Sequence, residues 1–241
     1  MKYFLETDRG KRRAVNQDSC AVFCPDAQSC FAIVCDGMGG ANAGEIASAM
    51  VVENVVSRIK AGWREGMSDE SVQNLMLTSI TAASINVYDQ SVSDEKYSGM
   101  GTTVVACAVK GDRAIIAHAG DSRAYICDES ELRVITKDHS LVQELVDLGQ
   151  ITKEEAKSHP RKNYITRALG VDESVEIDFN RLFLSENEKL LLCTDGLTNF
   201  VPEEDILQIL HDAPDPAKRL VEAANANGGG DNITAVVISL K

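Results

Sequence analysis

Four aspartates stand at the ends of apolar, strand-like runs with a glycine beside each, and this recurrence constrains the chain more than any other feature. They are Asp36 after Phe31-Ala32-Ile33-Val34-Cys35, Asp121 in Gly120-Asp121-Ser122, Asp195 after Leu190-Leu191-Leu192-Cys193-Thr194, and Asp231 in Gly230-Asp231-Asn232. A buried strand is rigid, so a carboxylate at its tip is held in place, and the adjacent glycine lets backbone or ligand approach closely. One Asp-Gly pair is ordinary turn chemistry; four in matched settings predict one shared acidic site. Crowded carboxylates repel, and a fold that gathers them must raise some of their pKa values or bind cations. Oxygen-only ligands favour hard ions, which points to Mg²⁺ or Mn²⁺.

The chain has 241 residues and no proline-rich, serine-rich or single-charge tract, which predicts one domain over 1–241 with a sizeable core. Its net charge of −13 opposes binding to nucleic acid or to an anionic membrane, so the expected partner is a protein or a small ligand. Only three apolar residues precede the first charged run at the N-terminus, too few for a signal-peptide core. The seven cysteines form an odd set without a Cys-x-x-Cys pair, and most lie inside apolar runs. They read as free thiols in a reducing cytoplasm rather than as a zinc or disulfide framework.

Periodicity predicts strands at 2–6, 19–24 and 30–35, the latter two forming a hairpin, then helices at 43–59 and 71–91. Short strands follow at 102–109, 113–119, 122–127 and 131–135, too closely spaced for helical crossovers and therefore antiparallel. Two short helices at 141–148 and 152–158 come next, the second with a Thr152-x-x-Glu155 capping box. Strands at 175–182 and 189–193, helices at 203–210 and 216–225, and a strand at 233–240 complete the pattern. Helix pairs alternating with antiparallel strand sets predict an α+β fold in which two packed sheets are flanked by helices.

An ordered series of motifs then meets a known family. Thr7-Asp8-x-Gly10-x-x-Arg13-x-x-Asn16-Gln17-Asp18, Asp36-Gly37-Met38-Gly39-Gly40, Gly101-Thr102-Thr103, Ala119-Gly120-Asp121-Ser122-Arg123, Asp138-His139-Ser140, Thr166-Arg167-Ala168-Leu169-Gly170, Thr194-Asp195-Gly196-Leu197 and Gly230-Asp231-Asn232-Ile233-Thr234 span almost the whole chain. In that order they resemble the type 2C, metal-dependent serine/threonine protein phosphatases of the compact bacterial type. The resemblance implies a four-layer α-β-β-α sandwich of two mainly antiparallel sheets, with the metal site between the sheet ends. It implies Asp36 as a carboxylate bridging two metals, the Gly37 carbonyl as a ligand of one, Asp195 and Asp231 as ligands of the other, and Asp18 as a ligand acting through water. Asp121, with Asp195, would hold a weaker third ion, Arg13 would bind the substrate phosphate, and residues 141–161 would form a flap beside the site. The ions would be Mn²⁺ or Mg²⁺, two in the core with a weaker third. The substrates would be phosphorylated proteins, with a cognate serine/threonine kinase as counterpart, no nucleic acid or membrane partner, and a monomer as the working unit.

Two divalent ions roughly 3.5–4 Å apart lower the pKa of a water and orient it for in-line attack on phosphorus, so no cysteine nucleophile is needed. One departure from the family pattern stands out. Where many members carry a histidine after Asp-Gly-Met-Gly-Gly, proposed as the acid for the leaving group, this chain has Ala41 and Asn42. Two other readings stand beside this one: a phosphoprotein-binding pseudophosphatase with little turnover, which Ala41 favours, and an acidic two-metal phosphodiesterase, which would use similar metal chemistry. If chemistry limits turnover, Ala41→His should accelerate phosphoserine-peptide hydrolysis, up to about 10²–10⁴-fold, and leave nitrophenyl phosphate nearly unchanged, because only the alkoxide leaving group needs a proton. Steady-state rates on the two substrates check it; equal effects on both would contradict a missing acid.

Overall fold

Residues 1–39 and 43–240 are described by the computed structural model; Ala41 and Asn42, where the family's histidine would stand, lie outside them. One five-stranded sheet runs in the order β1 (Lys2–Asp8), β11 (Ile233–Ser239), β10 (Lys189–Cys193), β7 (Arg123–Cys127) and β8 (Leu132–Val134). The second has the order β2 (Asp18–Asp26), β3 (Ser29–Met38), β5 (Val104–Lys110), β6 (Arg113–Ala119) and β9 (Asp178–Phe183), with β4 (Gly101–Thr102) paired to the end of β3. Every pairing between these strands is antiparallel.

The unbroken apolar runs exist because the central strands are covered on both faces, and successive side chains feed different cores. In β3, Phe31, Ile33 and Cys35 face the helix pair α1 (Ala43–Gly62) and α2 (Asp69–Ser93), while Cys30, Ala32 and Val34 face the other sheet. In β10, Leu190 and Leu192 enter the core between the sheets, while Leu191 and Cys193 face α6 (Glu203–Asp212) and α7 (Pro216–Ala226). Three apolar layers thus separate four layers of secondary structure, α-β-β-α.

Several local readings change. The strand expected over 102–109 is split at Thr103, which turns inward: its N–H donates to the Asp36 carbonyl at 2.9 Å and its hydroxyl accepts the Asp36 N–H at 3.0 Å. The strand β3 continues past Asp36 to Met38, so that carboxylate lies within the strand end rather than after it. The strand expected over 175–182 begins only at Asp178. A four-residue helix, α5 (Asp195–Thr198), starts on Asp195, where no element was expected. The helix expected from Ser71 begins at Asp69, because Ser68 caps it by accepting the Ser71 N–H. The helices expected at 141–148 and 152–158 form as α3 (Leu141–Asp147) and α4 (Lys153–Ser158), the latter with both halves of its capping box. Five cysteines are buried, Cys20 is half-buried, and Cys24 is exposed beside the β2 bulge.

Leu192 is fully buried where the two sheets meet. Leu192→Ala should lower the unfolding free energy by about 2–5 kcal/mol through lost burial and a residual cavity. Chemical denaturation would register this as a lower midpoint at unchanged slope.

Candidate active site

The two sheets present their acidic residues at one end. Asp18 opens β2 and lies opposite Asp36 in the β2–β3 register, so one sheet carries both. Asp195 follows β10 and Asp231 precedes β11, neighbouring strands of the other sheet. Asp121 lies in the bend between β6 and β7, where the chain passes from one sheet to the other.

These carboxyls sense one another. Burial, followed by the charges of Asp18, Asp195, Asp121 and Asp231, pushes Asp36 well above the ordinary carboxylate range. Burial outweighs two hydroxyl donors to push Asp18 up to about 7, with Asp195 and Asp231 adding repulsion. Asp121 is likewise pushed up to about 7 by burial and then by Asp195. Asp195 is raised by burial and by Asp231. The residues expected to form one site are thus brought together.

Asp18 shows what the cluster can hold. Its Oδ2 accepts the hydroxyls of Thr194 at 2.9 Å and Thr234 at 2.7 Å, whereas Oδ1 is buried without a hydrogen-bond partner. A buried carboxylate oxygen left bare is costly unless a cation or a cation-held water completes it. All donors here are oxygens, so the residues fit a hard divalent ion.

Gly37 follows from close approach. A Cβ there would lie 2.0 Å from the Gly44 carbonyl oxygen and 2.6 Å from that of Gln17, so only glycine lets the start of α1 and the Gln17 backbone close on the end of β3. Its N–H donates to the Gln17 carbonyl at 3.1 Å.

Arg13 lies on the exposed loop before β2, and its Nη2 donates to Asp231 Oδ2 at 2.8 Å. Its remaining N–H groups have no protein partner among the described residues. The loop is pinned by Asn232, whose Nδ2 donates to the Arg9 and Val15 carbonyls at 2.9 Å each and whose Oδ1 accepts the Gln17 N–H at 2.8 Å. Asn199 donates to Asp195 Oδ2 at 2.9 Å. Thr194, Thr234, Thr103, Asn199 and Asn232 were given no role from sequence; all but Asn199 belong to quoted motifs, which was their only signal.

A second group brings His118, His139 and Asp178 ligand atoms within 4.8 Å of one another. The two imidazoles are stacked, with centroids 4.8 Å apart and planes within 8° of parallel. In-plane lone pairs of stacked rings do not converge on one ion. His139 Nδ1 accepts the Gly120 N–H at 3.2 Å and Nε2 faces Asp178 Oδ2 at 3.2 Å, so neither nitrogen is free to act as the missing acid. The group reads as a structural network.

A model of the protein phosphatase 2C family matches residues 7–227. The chain belongs to this family. It is 40% identical over 240 residues to the serine/threonine phosphatase stp of Listeria welshimeri, covering 97% of this chain and 94% of that protein. Protein phosphatase PhpP of Streptococcus pneumoniae is 38% identical over 245 residues, covering 100% and 98%. The solved structure of the S. agalactiae serine/threonine phosphatase superimposes with a TM-score of 0.92 at 40% identity, covering 99% of both chains. The sandwich is therefore that of a protein phosphatase 2C.

Asp18 rises from the ordinary 3.8 to about 7, so between those values the folded protein holds a proton that the unfolded chain releases. Its contribution is most favourable below 3.8 and is lost as pH rises through 7. Burial holds His118 and His139 below their ordinary value, which acts with the opposite sign, so the comparison must be with Asp18→Asn. In metal-stripped protein, the stability of wild type relative to Asp18→Asn should fall between about pH 4 and pH 7 and recover when Mn²⁺ is added. Thermal midpoints across that range check it; a difference independent of pH would contradict the raised carboxyl.

Proposed function

We infer that the acidic end and Arg13 together hydrolyse phosphoserine and phosphothreonine in proteins, the activity for which the relatives are named. The observation that carries this reading is the bare, buried Asp18 Oδ1 inside a ring of mutually repelling carboxyls, with a cationic Arg13 at its rim. Metal dependence goes with the family. Mn²⁺ or Mg²⁺ would be held by Asp36, the Gly37 carbonyl, Asp195 and Asp231, with Asp18 acting through water and Asp121 on a weaker third ion. When bound, such ions supply an acidified water and neutralise phosphate charge.

The chain's own groups do the remaining work. Arg13 offers its free guanidinium N–H groups to the phosphate oxygens, a planar fork matched to them. The hydroxyls of Thr194 and Thr234 hold Asp18 Oδ2, leaving Oδ1 to orient a water. Water adds to phosphorus, the serine or threonine oxygen departs, and the products are the alcohol and inorganic phosphate. Burial raises the Cys35 thiol beside Asp36 well above its ordinary range, which supports a route without a thiolate nucleophile. Seven free cysteines, five of them buried, support a reducing cytoplasmic setting, in which the enzyme would oppose a serine/threonine kinase.

Asp36→Asn and Asp195→Asn should each reduce kcat on a phosphopeptide by about 10²-fold or more while the fold survives. Arg13→Ala should lower kcat/KM by about 10–100-fold, the scale of a charge-assisted hydrogen bond, and Arg13→Lys should recover only part. Phosphate-release assays with added Mn²⁺, with and without chelator, test both; full activity of either aspartate variant, or in chelator, would overturn the reading.

A further inference from the structure

The turn that carries Asp121 is gripped from both sides. Gly120 has φ +113°, a region that favours glycine, and a Cβ there would meet Thr103 Cγ2 at 2.6 Å. Both backbone polar groups of Gly120 go to one residue: its carbonyl accepts the His139 N–H at 2.9 Å and its N–H donates to His139 Nδ1 at 3.2 Å. On the other side, the Ser122 hydroxyl meets Thr103 Oγ1 at 2.7 Å, and Arg123 makes a two-pronged pair with Asp138 at 2.8 and 2.7 Å.

Nδ1 accepts a hydrogen bond, so the imidazole proton resides on Nε2 and points at Asp178 Oδ2. Asp178 Oδ1 in turn accepts Arg167 Nη1 at 2.9 Å, and Arg167 Nη2 reaches Glu176 at 3.2 Å. The His139 carbonyl also accepts the Thr166 N–H at 2.8 Å, and the Ser140–Ile165 bridge closes the base of the segment bearing α3 and α4. His139 is buried, with one face against His118.

We propose that His139 is a positioning residue that sets Asp121 for its weakly held ion through Gly120, its ring aimed by Asp178 and Arg167. The proposal rests on the reading of Asp121 given above. A carboxylate on a bend can swing away from a site; reciprocal bonds to the preceding glycine remove that freedom, as outer partners of metal ligands do. It also joins the Asp121 turn to the base of the 141–161 segment through one residue, whose side chain and N–H hold Gly120 and whose carbonyl holds Thr166.

The test uses the full chain and Mn²⁺ titrated by calorimetry, with phosphopeptide turnover and thermal unfolding alongside. Asp121→Ala should lose the weak binding step. His139→Phe keeps the stacked ring and the backbone bonds but loses both side-chain hydrogen bonds, and should weaken that step by about 10–100-fold while leaving the tight sites unchanged. In His139→Asn, Oδ1 can take the place of Nδ1 on Gly120, and weak-site binding should return to within about threefold of wild type; His139→Gln, which reaches toward Asp178 instead, should not rescue it. Asp121→Ala with His139→Phe should bind Mn²⁺ no worse than Asp121→Ala alone. If Asp121→Ala retains every wild-type binding step, the weak-ion reading fails and the proposal with it. If Asp121→Ala loses the step while folded His139→Phe keeps it at wild-type affinity, the proposal alone is overturned. Equal behaviour of the Asn and Gln variants would also overturn it, because the Gly120 contact would then decide nothing.

Discussion

The burial of like charges at one end of a sandwich governs the rest of this structure. Asp18 and Asp36 come from one sheet, Asp195 and Asp231 from the other, and each raised carboxyl is raised first by burial and then by its neighbours. Left to themselves these groups would separate. They are held by the apolar layer between the sheets, where Cys30, Ala32 and Val34 of β3 face Leu190 and Leu192 of β10 and Val236 and Ile238 of β11. Hydrophobic burial thus stores electrostatic repulsion that a divalent cation can relieve, so the arrangement that is costly for the carboxyls by themselves favours a cation among them.

Polar side chains at the sheet ends convert this general proximity into defined positions. Thr194, just past the end of β10, and Thr234 of the adjacent β11 both donate to the same oxygen of Asp18 from the other sheet. Thr103 ties the Asp36 backbone to Ser122 next to Asp121. Asn232 uses its whole side-chain amide to hold the loop that carries Arg13. Each of these groups is satisfied only when both partners are in place, so the site and the packing of the sheets are specified together.

Much of this was legible in the chain. The aspartates stand out by their place beside strand-like runs, and the ordered motifs from Thr7 to Thr234 carry the family resemblance. The runs at β3, β5 and β10 read as strands because four to six consecutive apolar residues flanked by turn signals are too short for a helix. What failed did so where tertiary contacts overrode local pattern. Thr103 splits the strand expected over 102–109 because its N–H and hydroxyl bond the Asp36 backbone, and α5 starts at Asp195 although Asp-Gly favours a turn. The bond of Arg13 to Asp231 spans 218 positions, a separation across which sequence pattern is blind.

The sequence by itself determined which residues could do chemistry, the alternation that builds two sheets covered by helices, and the excess of acid that turns away polyanions. Those properties are local or additive: residue type, a period of two or three to four, a sum of charges. Only the tertiary structure decided which aspartates share one field, which oxygen of Asp18 is left bare, and that His139 serves Gly120 and Asp178 rather than the reacting centre. Such facts depend on where strands distant in the chain end relative to one another, which is set by the packing of the two sheets and not by any stretch of the sequence alone.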